Sequence, residues 1–135
     1  MHQTTLTLPP ARRGLHDITH LVQEVVRTAK VEMGLCHVFL QHTSASLVIQ
    51  ENADPDVRRD METWFAGAVQ DGDPRFHHVL EGPDDMSAHL RAALTQPSLT
   101  LPVAAGKLAL GTWQGLYLFE HRTEPHRRRV VITVQ

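Results

Sequence analysis

Ser98-Leu99-Thr100-Leu101-Pro102-Val103, Lys107-Leu108-Ala109-Leu110-Gly111, Gln114-Gly115-Leu116-Tyr117-Leu118-Phe119-Glu120-His121 and Arg128-Arg129-Val130-Val131-Ile132-Thr133-Val134 follow one another after Pro97. Each run alternates or stays apolar, and Gly106, Gly111 and Gly115 punctuate them, the pattern of strands joined by turns. Strands crowd this last third, whereas helical spacing dominates much of what precedes it. The class is therefore α+β, with mostly antiparallel sheets and about three helices. The closing run Val130–Val134 leaves strand edges that an oligomer could cover.

Working back from Pro97, the stretch His77-His78-Val79-Leu80-Glu81-Gly82-Pro83-Asp84-Asp85-Met86-Ser87-Ala88-His89-Leu90 reads as a loop and a helix start, with aspartates at the N-terminal turn. Met86, Leu90, Ala93 and Leu94 recur at helical spacing, and His89 falls on the same face. Asp54-Pro55 opens a second helix, because proline at the first helical position sacrifices no hydrogen bond. Its stripe is Val57, Met61, Trp64, Phe65, Ala68 and Val69, with Trp64 and Phe65 expected in the core. Asp17 caps a third helix with the stripe Ile18, Leu21, Val22, Val25, Val26 and Ala29. Gln3–Leu8, Leu35–Gln41 and Ser46–Gln50 read as strands, giving seven or so in all. Residues 70–83 form a loop rich in glycine, proline and aspartate.

The totals exclude several classes. A chain of 135 residues is one domain by length, and its 41% hydrophobic and 21% charged shares are those of an ordinary globular protein. A net charge of -2 argues against a nucleic-acid-coating protein. The single cysteine cannot form an internal disulfide, which suits a reducing compartment. There is no basic segment followed by an apolar run at the start, and no stretch long enough to span a bilayer. A cytoplasmic protein with no membrane and no nucleic-acid partner is expected.

Ten histidines stand out. His2, His16, His20, His121 and His126 lie in polar or terminal contexts and are expected to be solvated, and His37 sits mid-strand. His42 continues the strand face of Cys36, Val38 and Leu40 at its polar end. His89 lies one turn from Asp85, with His78 in the loop before. Two readings stand for these imidazoles: buried rings satisfied by carboxylates, or ligands of a metal. Three converging imidazoles are the smallest protein set for a catalytic zinc with an open position. His42, His78 and His89, from a strand end, a loop and a helix start, could supply them, with Asp85 orienting His89. No nucleophile elbow surrounds Ser44 or Ser46, Cys36 reads as a buried small hydrophobe, and no phosphate-binding glycine loop is present. Glu51-Asn52-Ala53-Asp54 could set polar groups beside a ligand, and Glu120 with Arg127, Arg128 and Arg129 could form an anion-binding rim.

The pieces Gln41-His42-Thr43-Ser44-Ala45-Ser46-Leu47, Glu51-Asn52-Ala53-Asp54-Pro55, Val57–Glu62, His78, Glu81–Met86, Ala88-His89-Leu90, Gly106-Lys107-Leu108, Gly111–Gln114, Glu120-His121-Arg122 and Arg128-Arg129 together resemble the YjbQ family, the secondary thiamine-phosphate synthases. The resemblance runs in order along the whole chain and departs at the turn Thr123-Glu124-Pro125-His126. It implies one compact YjbQ-like domain over 1–135, assembled as a homotrimer. It further implies a divalent metal, zinc foremost, on His42, His78 and His89. The implied activity joins a hydroxymethylpyrimidine diphosphate to a thiazole phosphate and expels pyrophosphate. Asp85 would then orient His89, Glu120 or Asn52 would position water or substrate, and Ser44 with Arg127, Arg128 or Arg129 would hold phosphate. The alternative is a non-catalytic trimer that binds a metal or a phosphorylated metabolite.

Overall fold

Alternation in the closing strand decides what it buries. In β8 (Arg129–Val134), Val130, Ile132 and Val134 are inaccessible, while Arg129 is exposed and Val131 and Thr133 are partly so. The computed structural model describes residues 1–135. In chain order the other elements are β1 (His2–Thr7), β2 (Gly14–Asp17), α1 (Thr19–Ala29), β3 (Met33–Leu40), β4 (Ala45–Glu51), α2 (Pro55–Ala68), α3 (Asp85–Ala93), β5 (Ser98–Ala104), β6 (Lys107–Leu108) and β7 (Gln114–Glu120). The fold is α+β with three helices, as the periodicity predicts.

The strands form two sheets, one in the order β1-β8-β3-β5-β6 and one in the order β2-β7-β4, with every pairing antiparallel. Between them lies one apolar cluster. Cys36, Val38, Leu40, Leu101, Val103 and Ile132 come from the larger sheet, Leu47, Leu116 and Leu118 from the smaller, and Val22, Val25 and Val26 from α1. The alternate side chains of β7 face α2: Phe65 meets Phe119 edge to face, with centroids 5.2 Å apart. β7 is thus buried on both faces, which explains its nearly continuous apolar run. The outer face of the larger sheet is uncovered, and Met33, Leu35 and Phe39 on β3 are exposed.

Three expectations are corrected. Gly14–Asp17, unassigned from sequence, forms the eighth strand; four residues are too few for a visible alternation. Trp64, expected in the core, is 62% exposed, and α2 buries only Phe65. The stripe Met86, Leu90, Ala93 and Leu94 does not face the core. α3 instead buries Asp85, Ser87, Ala88 and Arg91, leaving Leu94 62% exposed. A set of polar contacts described below turns the helix this way.

The pairing of β3 with β8 runs on one residue further, to Gln135. Leu35 donates to the Gln135 carbonyl at 2.7 Å and Gln135 returns a bond to Leu35 at 2.9 Å. At Gly34 an added Cβ would stand 2.1 Å from that same oxygen, a backbone atom that would have to give up its bond from Leu35 to make room. Gly34→Ala is expected to cost about 1–3 kcal/mol through this overpacking, measured as a lower midpoint in urea unfolding with an unchanged slope.

Candidate metal centre

The site starts from the aspartate pair ahead of α3. Asp84, only 8% exposed, turns its carboxylate away from the helix. It accepts from the Thr123 N–H at 2.8 Å and the Thr123 hydroxyl at 2.9 Å, with Arg122 Nε at 3.3 Å. Burial alone would raise its pKa; the Thr123 and Arg122 contacts outweigh that and hold the carboxyl at about 2. Asp84 therefore ties α3 to the β7–β8 connection.

Asp85 faces the cleft. Its Oδ1 accepts from Arg122 Nη1 at 2.8 Å. Its Oδ2 lies 2.7 Å from His78 Nε2 and 2.9 Å from His89 Nε2. These three ligand atoms, one each from His78, Asp85 and His89, fall within 4.8 Å of one another. Burial of Asp85 is outweighed by the His78 hydrogen bond and by the charges of His89 and Arg122, so its carboxyl is depressed and stays ionised.

His89 carries the decisive detail. Its Nδ1 is 2.8 Å from the Thr43 carbonyl oxygen, which can only accept, so Nδ1 bears a proton. In the neutral ring Nε2 then holds a lone pair, aimed at an ionised carboxylate oxygen at 2.9 Å. Two acceptors at that separation need a cation between them, either a second proton or a metal ion. The loop carrying His78 is held in place by Asp71, which takes both Arg13 Nη atoms (2.7 and 2.9 Å) and the Ser87 hydroxyl. Those contacts, with Asp85, bury the polar face of α3.

Cavities flank the cluster on two sides. One of about 340 Å³ is lined by His42, His89, Thr43 and Thr95 over a floor of Ala45, Ala92, Ala93 and Pro97. The other, about 380 Å³, lies in the loop beside His78, against Gly72, Phe76 and Val79.

His42, expected as the third imidazole ligand, lies outside the group that His78, Asp85 and His89 form. His42 Nε2 accepts the Arg129 backbone N–H at 2.9 Å, and its Nδ1 faces Arg128 Nη1 at 3.4 Å. Burial and the neighbouring Arg128 lower its pKa, so it is neutral at pH 7. Glu120, expected to position water or substrate, is fully buried. Its Oε1 accepts from Arg128 Nε at 2.7 Å and its Oε2 from Arg128 Nη2 at 2.6 Å. The same Oε2 takes the backbone N–H groups of His121 and Arg122, which leaves Glu120 nothing to offer a ligand. Ser44 accepts from Arg128 Nη2 at 2.9 Å and is spent likewise. Arg128, 4% exposed, is therefore not an anion contact, whereas Arg127 and Arg129 are exposed. Asn52 stands at the other end of β4, roughly 20 Å from Ala45 at strand spacing, donating to the Thr112 and Gln114 carbonyls.

Two residues escaped the reading of the sequence. Arg122, bound to both Asp84 and Asp85, is the arginine nearest the cluster, and the paired aspartates were the available signal for a basic partner. His121, expected to be solvated, is fully buried with Nε2 2.8 Å from the Ser46 hydroxyl. Burial, then Arg91, pushes its pKa down to about 3.

The chain matches the family model described as UPF0047 protein YjbQ-like over residues 4–135. It is 49% identical over 133 residues to a UPF0047 protein of Synechocystis, covering 98% of this chain and 90% of that one. It is 44% identical over 135 residues to UPF0047 protein YjbQ of Escherichia coli, covering 99% and 97%. Among solved structures, a hypothetical protein of Aeropyrum pernix superposes with a TM-score of 0.89 at 29% identity, covering 100% of this chain and 98% of that one. A conserved hypothetical protein of Thermus thermophilus superposes at 0.87 with 32% identity, covering 98% and 99%.

Two measurements check the electrostatics. Asp84 is depressed in the folded state, so its stabilisation is complete above the unfolded pKa near 3.8 and is lost as pH falls towards about 2. Asp84→Asn should remove that component, lowering stability at pH 7 by about 1–3 kcal/mol and flattening the acid limb of a stability–pH curve between pH 4 and 2. Arg128→Leu strands the buried Glu120 carboxylate and should cost about 3–5 kcal/mol; adding Glu120→Gln should restore part of the loss in the same denaturation assay.

Proposed function

The chain belongs to the UPF0047 YjbQ-like family, and on that premise we propose that it is a divalent-metal-dependent enzyme acting on a phosphorylated small molecule. His78, Asp85 and His89 would hold the ion. Two imidazoles and one carboxylate are a donor set that zinc accepts, and with three protein ligands one position stays open. What supports this best is the Thr43 carbonyl on His89 Nδ1, which places a proton there and turns Nε2 towards Asp85 as a ligand atom in the neutral ring. The Thr43 carbonyl then plays the orienting role that a metal-bound histidine needs at its second nitrogen.

A bound divalent ion would polarise a phosphate oxygen and offset the charge that develops on a leaving group. The chain's own residues frame that chemistry. Arg122 holds Asp85 ionised and adds a positive charge beside the cluster. His42, neutral, forms part of the wall of the cavity it shares with His89. Arg127 and Arg129, exposed on the lead into β8, would meet the phosphate. Family resemblance supplies the reaction label of thiamine-phosphate synthase, with release of pyrophosphate. A homotrimer would cover the apolar outer face of the larger sheet, where Met33, Leu35 and Phe39 stand exposed.

One observation favours a second reading, a non-catalytic trimer that binds a metal or a phosphorylated metabolite. Glu120 and Asn52, the two groups expected to position water or substrate, are both engaged away from the cluster.

Zinc added at 100 times its dissociation constant should stabilise the protein by about 2.7 kcal/mol, or roughly 10 °C in melting temperature. His89→Ala should weaken zinc binding about 100-fold or more with the circular dichroism spectrum unchanged. Binding should release protons in calorimetry across buffers of different ionisation enthalpy, so affinity falls with falling pH. Full zinc retention by His89→Ala would overturn the metal assignment. Tight zinc with no turnover of thiamine precursors or phosphate esters would select the binding-protein reading.

A further inference from the structure

β2 ends the three-stranded sheet and pairs only with β7. In its antiparallel ladder the register is Gly14 to Glu120, Leu15 to Phe119, His16 to Leu118 and Asp17 to Tyr117, and the next residue, Ile18, donates to the Leu116 carbonyl at 2.9 Å. Hydrogen-bonded pairs alternate along such a ladder, so Gly14, His16 and Ile18 turn their backbone groups to β7. Leu15 and Asp17 turn theirs the other way, to the open side. An edge of this kind is a template for another strand.

The two faces of that edge are not alike. On the His16 face lies a half-open cavity of about 210 Å³, which Asp17 also lines, against Leu8, Pro9, Pro10, Ile18, Leu21 and Leu118. Leu21, which helical spacing places in the core, is instead 41% exposed beside this cavity. On the Leu15 and Asp17 face lies a polar cavity of about 390 Å³, which His16 also reaches, with Asn52, Arg58 and Tyr117. The Arg58 guanidinium sits over the Tyr117 ring, 5.9 Å from its centroid, and Nη1 donates to the Tyr117 hydroxyl at 3.3 Å. Its remaining N–H groups meet no protein acceptor. The Asp17 carboxylate is engaged by the Thr19 N–H at 2.8 Å, at the positive end of α1, which offsets its repulsion of a nearby acceptor.

A strand added beside β2 would project successive side chains to opposite faces. One would enter the apolar cavity and its neighbours the polar one. We propose that the β2 edge docks an extended segment of a partner protein in which a large aliphatic residue alternates with acidic ones. Backbone groups of Leu15 and Asp17 supply the pairing, the aliphatic side chain fills the cavity beside His16, and a carboxylate meets the open fork of Arg58. This surface lies apart from the His78–Asp85–His89 cluster and stands whether or not that cluster holds a metal.

The test uses the whole chain, labelled with nitrogen-15, and a blocked seven-residue peptide of alternating leucine and glutamate. Saturable shifts centred on Leu15 and Asp17, with slowed exchange of those two amides, are expected. A leucine–lysine peptide should bind at least about tenfold more weakly, as should the leucine–glutamate peptide to Arg58→Met, since each removes one charge-assisted contact. Leu15→Pro removes an N–H that faces away from β7 and should abolish binding while the rest of the spectrum persists; if that variant unfolds, Arg58→Met and the lysine peptide decide alone. Absence of shifts at millimolar peptide, or equal binding of the two peptides, overturns the proposal. Protection of Leu15 and Asp17 that rises with protein concentration alone also overturns it, because a second copy then occupies the edge.

Discussion

The buried ion pair between Glu120 and Arg128 is the constraint from which the site is built. Taking both charges out of water costs several kcal/mol each, and the pair persists only because nearly every polar atom in it is used. Glu120 receives two guanidinium nitrogens and two backbone N–H groups; Arg128 also reaches the Ser44 carbonyl and hydroxyl and faces His42. Three chain segments are thereby pinned at one end of the sandwich: the exit from β7, the lead into β8, and the turn between β3 and β4. The first places Arg122 against Asp84 and Asp85, and the last places the Thr43 carbonyl against His89. The cluster's chemistry is thus set by a pair of residues that never touch it.

Seen from the cluster, the same arrangement fixes where positive charge is needed. Asp85 cannot protonate readily while Arg122 and two imidazoles face it, and His89 cannot switch tautomer while Thr43 holds its other nitrogen. Both compensating adjustments open to an isolated histidine–carboxylate pair are closed off. What remains is positive charge between Nε2 and Oδ2, supplied by a second proton on His89 or by the divalent ion proposed above, which would recruit His78 as well.

The reading of the sequence succeeded where a segment's own pattern settles its structure. Asp54-Pro55 starts α2, with the Asp54 carboxylate accepting the Asp56 N–H at 2.9 Å, and the apolar alternations after Pro97 become β5, β7 and β8. His78, Asp85 and His89 were legible as a group because loop, N-terminal turn and helix lie close in the chain. The failures have a common cause in polar burial. α3 was oriented by its apolar residues, but Asp85, Ser87 and Arg91 have stronger reasons to be inside than Leu90 or Leu94. Their partners, Asp71, Arg122 and the Val69 carbonyl, come from elsewhere in the chain. Hydrophobic periodicity cannot register such a preference. His42 and Glu120 stand apart from the cluster for the same reason, since nothing local shows that Arg128 crowds one and claims the other.

β2 carries the point further. Four residues with one glycine give no readable alternation, and the strand exists because β7 offers it a partner on one side. What tertiary pairing creates, it also leaves half finished: a strand held along one edge, with Leu15 and Asp17 still carrying unused backbone groups. Natural proteins commonly blunt such edges with brevity or charge, and Asp17 and the shortness of β2 do some of that here. For the partner segment proposed above, the two unlike cavities flanking the strand would offset that blunting by favouring one particular alternation.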